Sequence, residues 1–315
     1  MTEDLANLHA VGERWHADET DFATDMKEAW GDWGVSSEVG KLRAVLMRRP
    51  GAEIETVKDP KEWRFQDVMD LKTAQAQQDE VVRIYREHGV TVHYIENMRV
   101  DRPNGIFVRD LVAGTPEGAI VGRPAVPFRR GEERFAAEAL GRIGCPIVRT
   151  INGAGTFEGA CLMWVDRKTA FLGVGTRCNE DGARQVTYEL NRMGTEVHIV
   201  QIPYGMLHLD GLFNILGRDK AIIFPWQTPA VVVEVLERKG FKVIELPYVD
   251  EAKMNGAVNF VALEPDVIVF PKGNPKTRDL IAANGVKVIE ADISEIRKGW
   301  GGLHCMTAFL KRDED

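Results

Sequence analysis

The chain has 315 residues, 40 Lys and Arg against 48 Asp and Glu, and a formal net charge of −8. That acidity points away from a phosphate-backbone partner. No apolar run approaches the roughly 18 residues of a membrane helix, and a content of 44% apolar and 28% charged residues suits a soluble globular protein with an ample core.

Residues 1–35 open on Met1-Thr2-Glu3-Asp4, the reverse of a secretory signal, and carry Trp15, Trp30 and Trp33 among acidic residues. They read as an N-terminal extension laid against the body, with 36–315 forming one domain. Leu42–Met47 reads as a strand. From there an amphipathic helical stretch, a glycine and a β-branched run recur five times. The helical stretches are Val81–His88, Glu132–Ile143, Ala183–Met193, Val231–Lys239 and Thr277–Asn284. The runs that follow are Val90–Ile95, Pro146–Val148, Val197–Ile202, Phe241–Leu246 and Val286–Ile289. The intervening glycines (Gly89, Gly144, Gly194, Gly240, Gly285) fall 55, 50, 46 and 45 residues apart and suit the left-handed residue that closes a helix. Strand-like segments lie between these units: Gly118–Val121, Met163–Val165 with Ala170–Val174, Leu212–Leu216 with Ala221–Phe224, and Val267–Phe270. Each repeat is therefore ββαβ, and a single copy cannot cover its own apolar face. The pattern predicts an α/β fold of five such units closing into a five-bladed propeller, with Leu42–Met47 and Met306–Leu310 completing the first. A doubly wound sheet is the alternative, disfavoured because no GxGxxG follows a strand and no P-loop is present.

Equivalent positions in a ring face one axis. Asp110, Glu158, His208, Asn259 and Cys305 are separated by 48, 50, 51 and 46 residues. The repeat thus predicts two acids, an imidazole, an amide and a thiol at one centre. Cys145, Cys161, Cys178 and Cys305 contain no CxxC, which argues against a disulfide framework. A thiolate is a nucleophile, and histidine serves as general acid and base. Further carboxylates suit a cationic substrate, for which a guanidinium offers paired N–H donors. His208 and Asp210 also read as metal ligands, although few further ligands stand at usable spacing. A non-catalytic binding ring is a third reading.

The motifs FxRD at 107–110, FEG at 157–159, HLD at 208–210 and GGxxCxT at 301–307 resemble the guanidino-group-modifying (pentein) superfamily, over nearly everything from Gly34 onward. The resemblance implies Cys305 as nucleophile, His208 as general acid and base, and Glu158 as its holder. It implies Asp110 and Asp210 on the guanidinium and Arg177 on a substrate carboxylate with Arg129 or Arg130 assisting, while the repeat position offers Asn259 for pocket hydrogen bonding or for a turn. It implies no metal or organic cofactor. The expected activity is cysteine-dependent hydrolysis of a guanidino C–N bond through an amidino-thioether, giving a ureido product, in the cytoplasm. Amidino transfer to an amine is the alternative, and the outer helices suit a homodimer. Two departures stand out. Glu158-Gly159-Ala160-Cys161 replaces the EGGD of many deiminases, and His208-Leu209-Asp210-Gly211-Leu212-Phe213-Asn214, with His304 before Cys305, leans toward amidinotransferases.

Overall fold

All five helix-closing glycines adopt the left-handed conformation, with φ of +78°, +77°, +80°, +83° and +80° at Gly89, Gly144, Gly194, Gly240 and Gly285. A side chain at these positions would be strained by backbone alone. In this computed structural model, which describes residues 19–314, the helices they terminate are α2 (Leu71–Glu87), α3 (Glu132–Ile143), α4 (Glu180–Arg192), α5 (Ala230–Arg238) and α6 (Pro275–Ala283). A further helix, α1 (Phe22–Ala29), lies in the extension, capped by the Asp21 carboxylate and anchored by buried Met26. Trp30 is exposed, Trp33 stacks on His93, and Trp15 lies outside the described residues.

After each glycine a strand begins. Among the described residues the strands are β1 (Leu42–Met47), β2 (Thr91–Tyr94), β3 (Val112–Thr115), β4 (Gly118–Val121), β5 (Ile147–Thr150), β6 (Leu162–Asp166), β7 (Thr169–Val174) and β8 (Glu196–Gln201), then β9 (Phe213–Gly217), β10 (Lys220–Ile223), β11 (Lys242–Glu245), β12 (Val261–Glu264), β13 (Val267–Pro271), β14 (Lys287–Ala291) and β15 (Ala308–Arg312). They form five three-stranded sheets: β15-β1-β2, β3-β4-β5, β6-β7-β8, β9-β10-β11 and β12-β13-β14. In every sheet the middle strand pairs antiparallel with one neighbour and parallel with the strand that follows its helix. One sheet thus joins the beginning of the chain to its last strand. That strand starts two residues later than the pattern predicts, leaving Cys305 in the turn before it.

Every residue of β3 and β4 is buried, as is all of β9, whereas β5 has no fully buried residue and β8 has one. The first and middle strands therefore carry the core, and each such Val, Leu or Ile contributes about 1.5–3 kcal/mol by leaving water. Polar side chains stitch sheet to sheet. Trp164 on β6 donates to the Gly114 carbonyl on β3, Asn214 on β9 donates to Val258 and Phe260 before β12, and Arg312 on β15 donates to Ala262 on β12. Among the described residues no helix is long and apolar enough to cross a membrane.

Candidate active site

The turns that enter the first strands of the sheets carry the predicted chemistry. Short 3-10 turns at Val108–Asp110, Gly159–Cys161 and Leu209–Gly211 lead into β3, β6 and β9. The equal sequence spacing conceals an offset: Asp110 and Asn259 stand two residues before their strands, Cys305 three, Glu158 four and His208 five. Glu158 and His208 precede their turns, Asp110 ends its own, and Cys161 is the residue in the Asp110 position.

Glycines set these backbones at contact distance. A Cβ on Gly159 would sit 2.3 Å from the Arg109 carbonyl oxygen and 2.7 Å from that of Val112, so the residue after Glu158 has no room for a side chain. A Cβ on Gly301 would lie 2.0 Å from the Phe107 ring, and one on Gly302 would lie 2.4 Å from Asn259 Oδ1. The pair lets the Cys305 segment close on both neighbours. Asn259 then clamps it: its Oδ1 accepts from the His304 and Cys305 amides at 3.0 and 3.3 Å, and its Nδ2 donates to Cys305 Sγ at 3.1 Å. Asn259, expected among the substrate contacts, thus engages the Cys305 segment with both ends of its amide.

His208 Nε2 hydrogen-bonds Glu158 Oε2 at 2.7 Å and lies 3.7 Å from Asp110 Oδ1. Cys305 Sγ is 3.4 Å from Asp210 Oδ2. The charges of Asp110 and Asp210 act on both His208 and Cys305, so thiol, imidazole and the two acids share one buried centre. Arg177 donates Nη1 to both oxygens of Glu158, at 3.1 and 3.3 Å. Among the described residues this is its one hydrogen-bonding nitrogen, so the arginine expected on a substrate carboxylate stands first behind Glu158. Arg129 pairs with Asp110 and, at 2.8 Å, with Glu132. Arg130 is exposed and reaches the Pro124 carbonyl at 3.3 Å, away from these acids.

Burial opposes ionisation of Glu158, yet His208, Arg129 and Arg177 outweigh it and hold the carboxyl well below the usual range. For His208 burial disfavours the cation, but Asp110, Glu158 and Asp210 reverse the sign and raise it. Burial pushes the Cys305 thiol up, with Asp210 and then Asp110 adding to the rise. Burial also raises Glu132 to about 7 against the pull of Arg129. The resting site therefore pairs a protonated thiol with an imidazole held toward its cationic form. One buried acceptor, Asp110 Oδ1, has no hydrogen-bond partner among the described residues.

One donor atom from each of Asp110, Glu158 and His208 lie within 4.8 Å of one another, close enough to meet on a cation. Two guanidiniums already stand against these carboxylates, and Asp210 is turned instead to His304 and Cys305. Sequence reasoning missed Glu38, Arg109 and Glu132, all buried and all in ion pairs of this region. Arg109 stood inside the FxRD motif read for its aspartate, Glu132 was an acid in a helical first turn, and Glu38 was only a loop acid after Ser36-Ser37.

Five ββαβ units with thiol, imidazole and acids at the strand entries define a member of the guanidino-group-modifying superfamily. The family model for N,N dimethylarginine dimethylhydrolase, eukaryotic, matches residues 52–312. The chain belongs to that family, which puts it among hydrolases acting on carbon–nitrogen bonds of amidines. The N(G),N(G)-dimethylarginine dimethylaminohydrolase of Pseudomonas aeruginosa is 33% identical over 205 residues, 65% of this chain and 76% of that protein. The arginine deiminase of Lactococcus lactis subsp. cremoris is 23% identical, over 89% of this chain and 98% of its own. Among solved structures, a mutant of the Pseudomonas aeruginosa enzyme complexed with citrulline is similar at TM-score 0.72 and 26% identity, covering 85% of this chain and 99% of that one. An amidinotransferase from Microseira wollei shares the fold at TM-score 0.74 and 15% identity.

Proposed function

We propose that this protein hydrolyses a guanidino C–N bond of arginine or an N-alkylated arginine, with Cys305 as nucleophile, on a five-bladed propeller closed through the β15-β1-β2 sheet. The observation that carries the reading is a buried centre in which Cys305 meets Asp210 and Asn259 while His208 is held by Glu158 beside Asp110. The free Asp110 Oδ1 and the Asp210 carboxylate suit a planar cation with paired N–H donors. Its arrival offsets the two charges that keep the thiol protonated, and the thiol proton passes to solvent.

Sulfur then bonds to the guanidino carbon. His208 gives its proton to the departing nitrogen, the C–N bond breaks, and ammonia or an alkylamine leaves an amidino-thioether. His208, now neutral, takes a proton from water. The water oxygen adds to the same carbon and the C–S bond breaks to return the thiolate and a ureido product. Arg177, with nitrogens beyond the one on Glu158, supports recognition of a substrate carboxylate. Amidino transfer would divert the same intermediate to an amine.

The test incubates the enzyme with arginine, monomethylarginine and dimethylarginine, with and without glycine, ornithine or lysine, and follows ureido and guanidino products. Hydrolysis expects ureido product whatever amine is added, and its loss in Cys305→Ser. A new guanidino product that depends on the amine would overturn hydrolysis, and turnover surviving Cys305→Ser would overturn the nucleophile.

A further inference from the structure

Behind the nucleophile, Asp210 opens an unbroken buried file of polar side chains, of which the reaction above uses only Asp210. Asp210 Oδ2, 3.4 Å from Cys305 Sγ, lies 3.0 Å from His304 Nδ1. Across the ring, His304 Nε2 meets Glu38 Oε2 at 3.2 Å. Glu38 Oε1 accepts from Arg109 Nη2 at 3.0 Å and from the Trp164 amide at 3.2 Å. The side chains of Asp210, His304 and Glu38 are at most 3% exposed. Both ring nitrogens therefore face carboxylate oxygens. A neutral imidazole has one N–H to give, and two carboxylate contacts take two.

We propose that His304, held by Glu38, is a positioning residue that fixes the Asp210 carboxylate beside Cys305 and stands as a positive charge two contacts behind the sulfur. The inference rests on Cys305 being the nucleophile. The need for such a charge follows from what faces the sulfur. Asp210 and Asp110 both oppose a thiolate, and Arg297 is the fixed cation that feels the sulfur from another side. His208 acts on Asp210 from across the centre, but it gives up its proton during the reaction. Glu38 is balanced first by Arg109, then by His304 and Arg312, so a charge on His304 is shared between Glu38 on one side and Asp210 on the other. With Asp210 partly offset from behind, the substrate cation has less negative charge to neutralise beside the sulfur.

The pH dependence of iodoacetamide alkylation, read at the Cys305 peptide by mass spectrometry, tests this in the wild-type enzyme, Glu38→Gln and His304→Gln. Glu38→Gln is the sharper probe. Its amide can give a hydrogen to Nε2 while Nδ1–H still serves Asp210, so the contacts survive and the charge does not. The midpoint should rise by about one pH unit in both variants, with alkylation and kcat/KM at pH 7 about tenfold lower. An unmoved midpoint in a cooperatively melting Glu38→Gln overturns the inference. Nitrogen-15 NMR of the wild-type ring decides independently of any variant: a hydrogen on both nitrogens supports it, and one bare nitrogen overturns it. Neither readout depends on turnover, so failure of the nucleophile assignment shows separately, as activity that survives Cys305→Ser.

Discussion

Replacing Glu158 with glutamine removes one negative charge and leaves the shape. The side chain is fully buried, receives His208 Nε2 at 2.7 Å and Arg177 Nη1 at 3.1 Å, and accepts the Ala125 amide at 3.1 Å. An amide can still accept on one side but presents N–H to the other, so one of two buried cations loses its counter-charge. Breaking a buried pair in this way costs about 3–5 kcal/mol. For a chain of this size that is a fall in Tm of about 5–8 °C by differential scanning fluorimetry. Catalysis suffers for a separate reason. Beside Asp110, Glu158 is a principal cause of the raised His208 pKa, so in the variant the imidazole loses its proton at lower pH and, in the mechanism proposed, less of the general acid is present near neutrality. The expected loss in kcat is about 10²–10⁴-fold, with the alkaline limb of the kcat profile moved to lower pH. A kcat within threefold of wild type, with that limb unmoved, would refute the role given to the pair.

Three further outcomes follow from the same geometry. Gly302→Ala drives a Cβ to 2.4 Å from Asn259 Oδ1 and breaks the clamp on Cys305, so kcat should fall at least tenfold while stability drops by only about 1–3 kcal/mol; unchanged kinetics would show that the clamp is idle. Arg129→Leu strips the counter-charge from buried Asp110 and Glu132, and its Tm deficit should be smaller at pH 5.5 than at pH 8, because Glu132 takes a proton near pH 7; an equal deficit at both would contradict that titration. Glu38, where burial is outweighed by Arg109 and His304, is held down to about 2 against an ordinary value of 4.5. Since its folded value is depressed, it stabilises above pH 4.5 and that share, about 3 kcal/mol, is lost as pH falls toward 2; urea midpoints across this window should slope less steeply in Glu38→Gln.

The helices and their glycines were legible because both signals are local. A 3.6-residue apolar period and a left-handed closing residue need no partner, and Glu132–Ile143 runs over the predicted residues. Strand edges moved by one or two positions, most consequentially at β15, where the apolar run Met306–Leu310 begins inside the turn that carries Cys305. The equal spacing of five polar residues led to one neighbourhood without their being equivalent, because turns of different length precede the strands. Glu38 could not be read at all. Its partners Arg109, Trp164 and His304 lie 71, 126 and 266 positions away, and nothing within ten residues distinguishes it from a solvated loop acid. Arg129 and Arg177 were found as positively charged groups of the site, but their carboxylate partners follow from packing that no short motif encodes.

Cys305 stands in the turn that leads into β15, and β15 pairs with β1, more than 260 residues earlier. A chain emerging from the ribosome therefore holds both aspartates, the glutamate and the imidazole long before it owns a sulfur to set among them. Until the last strand zips onto the first, there is no aligned thiol for oxidants or stray electrophiles to find. On the mechanism proposed, trimming that strand should abolish activity while every other polar group of the centre stays in the chain.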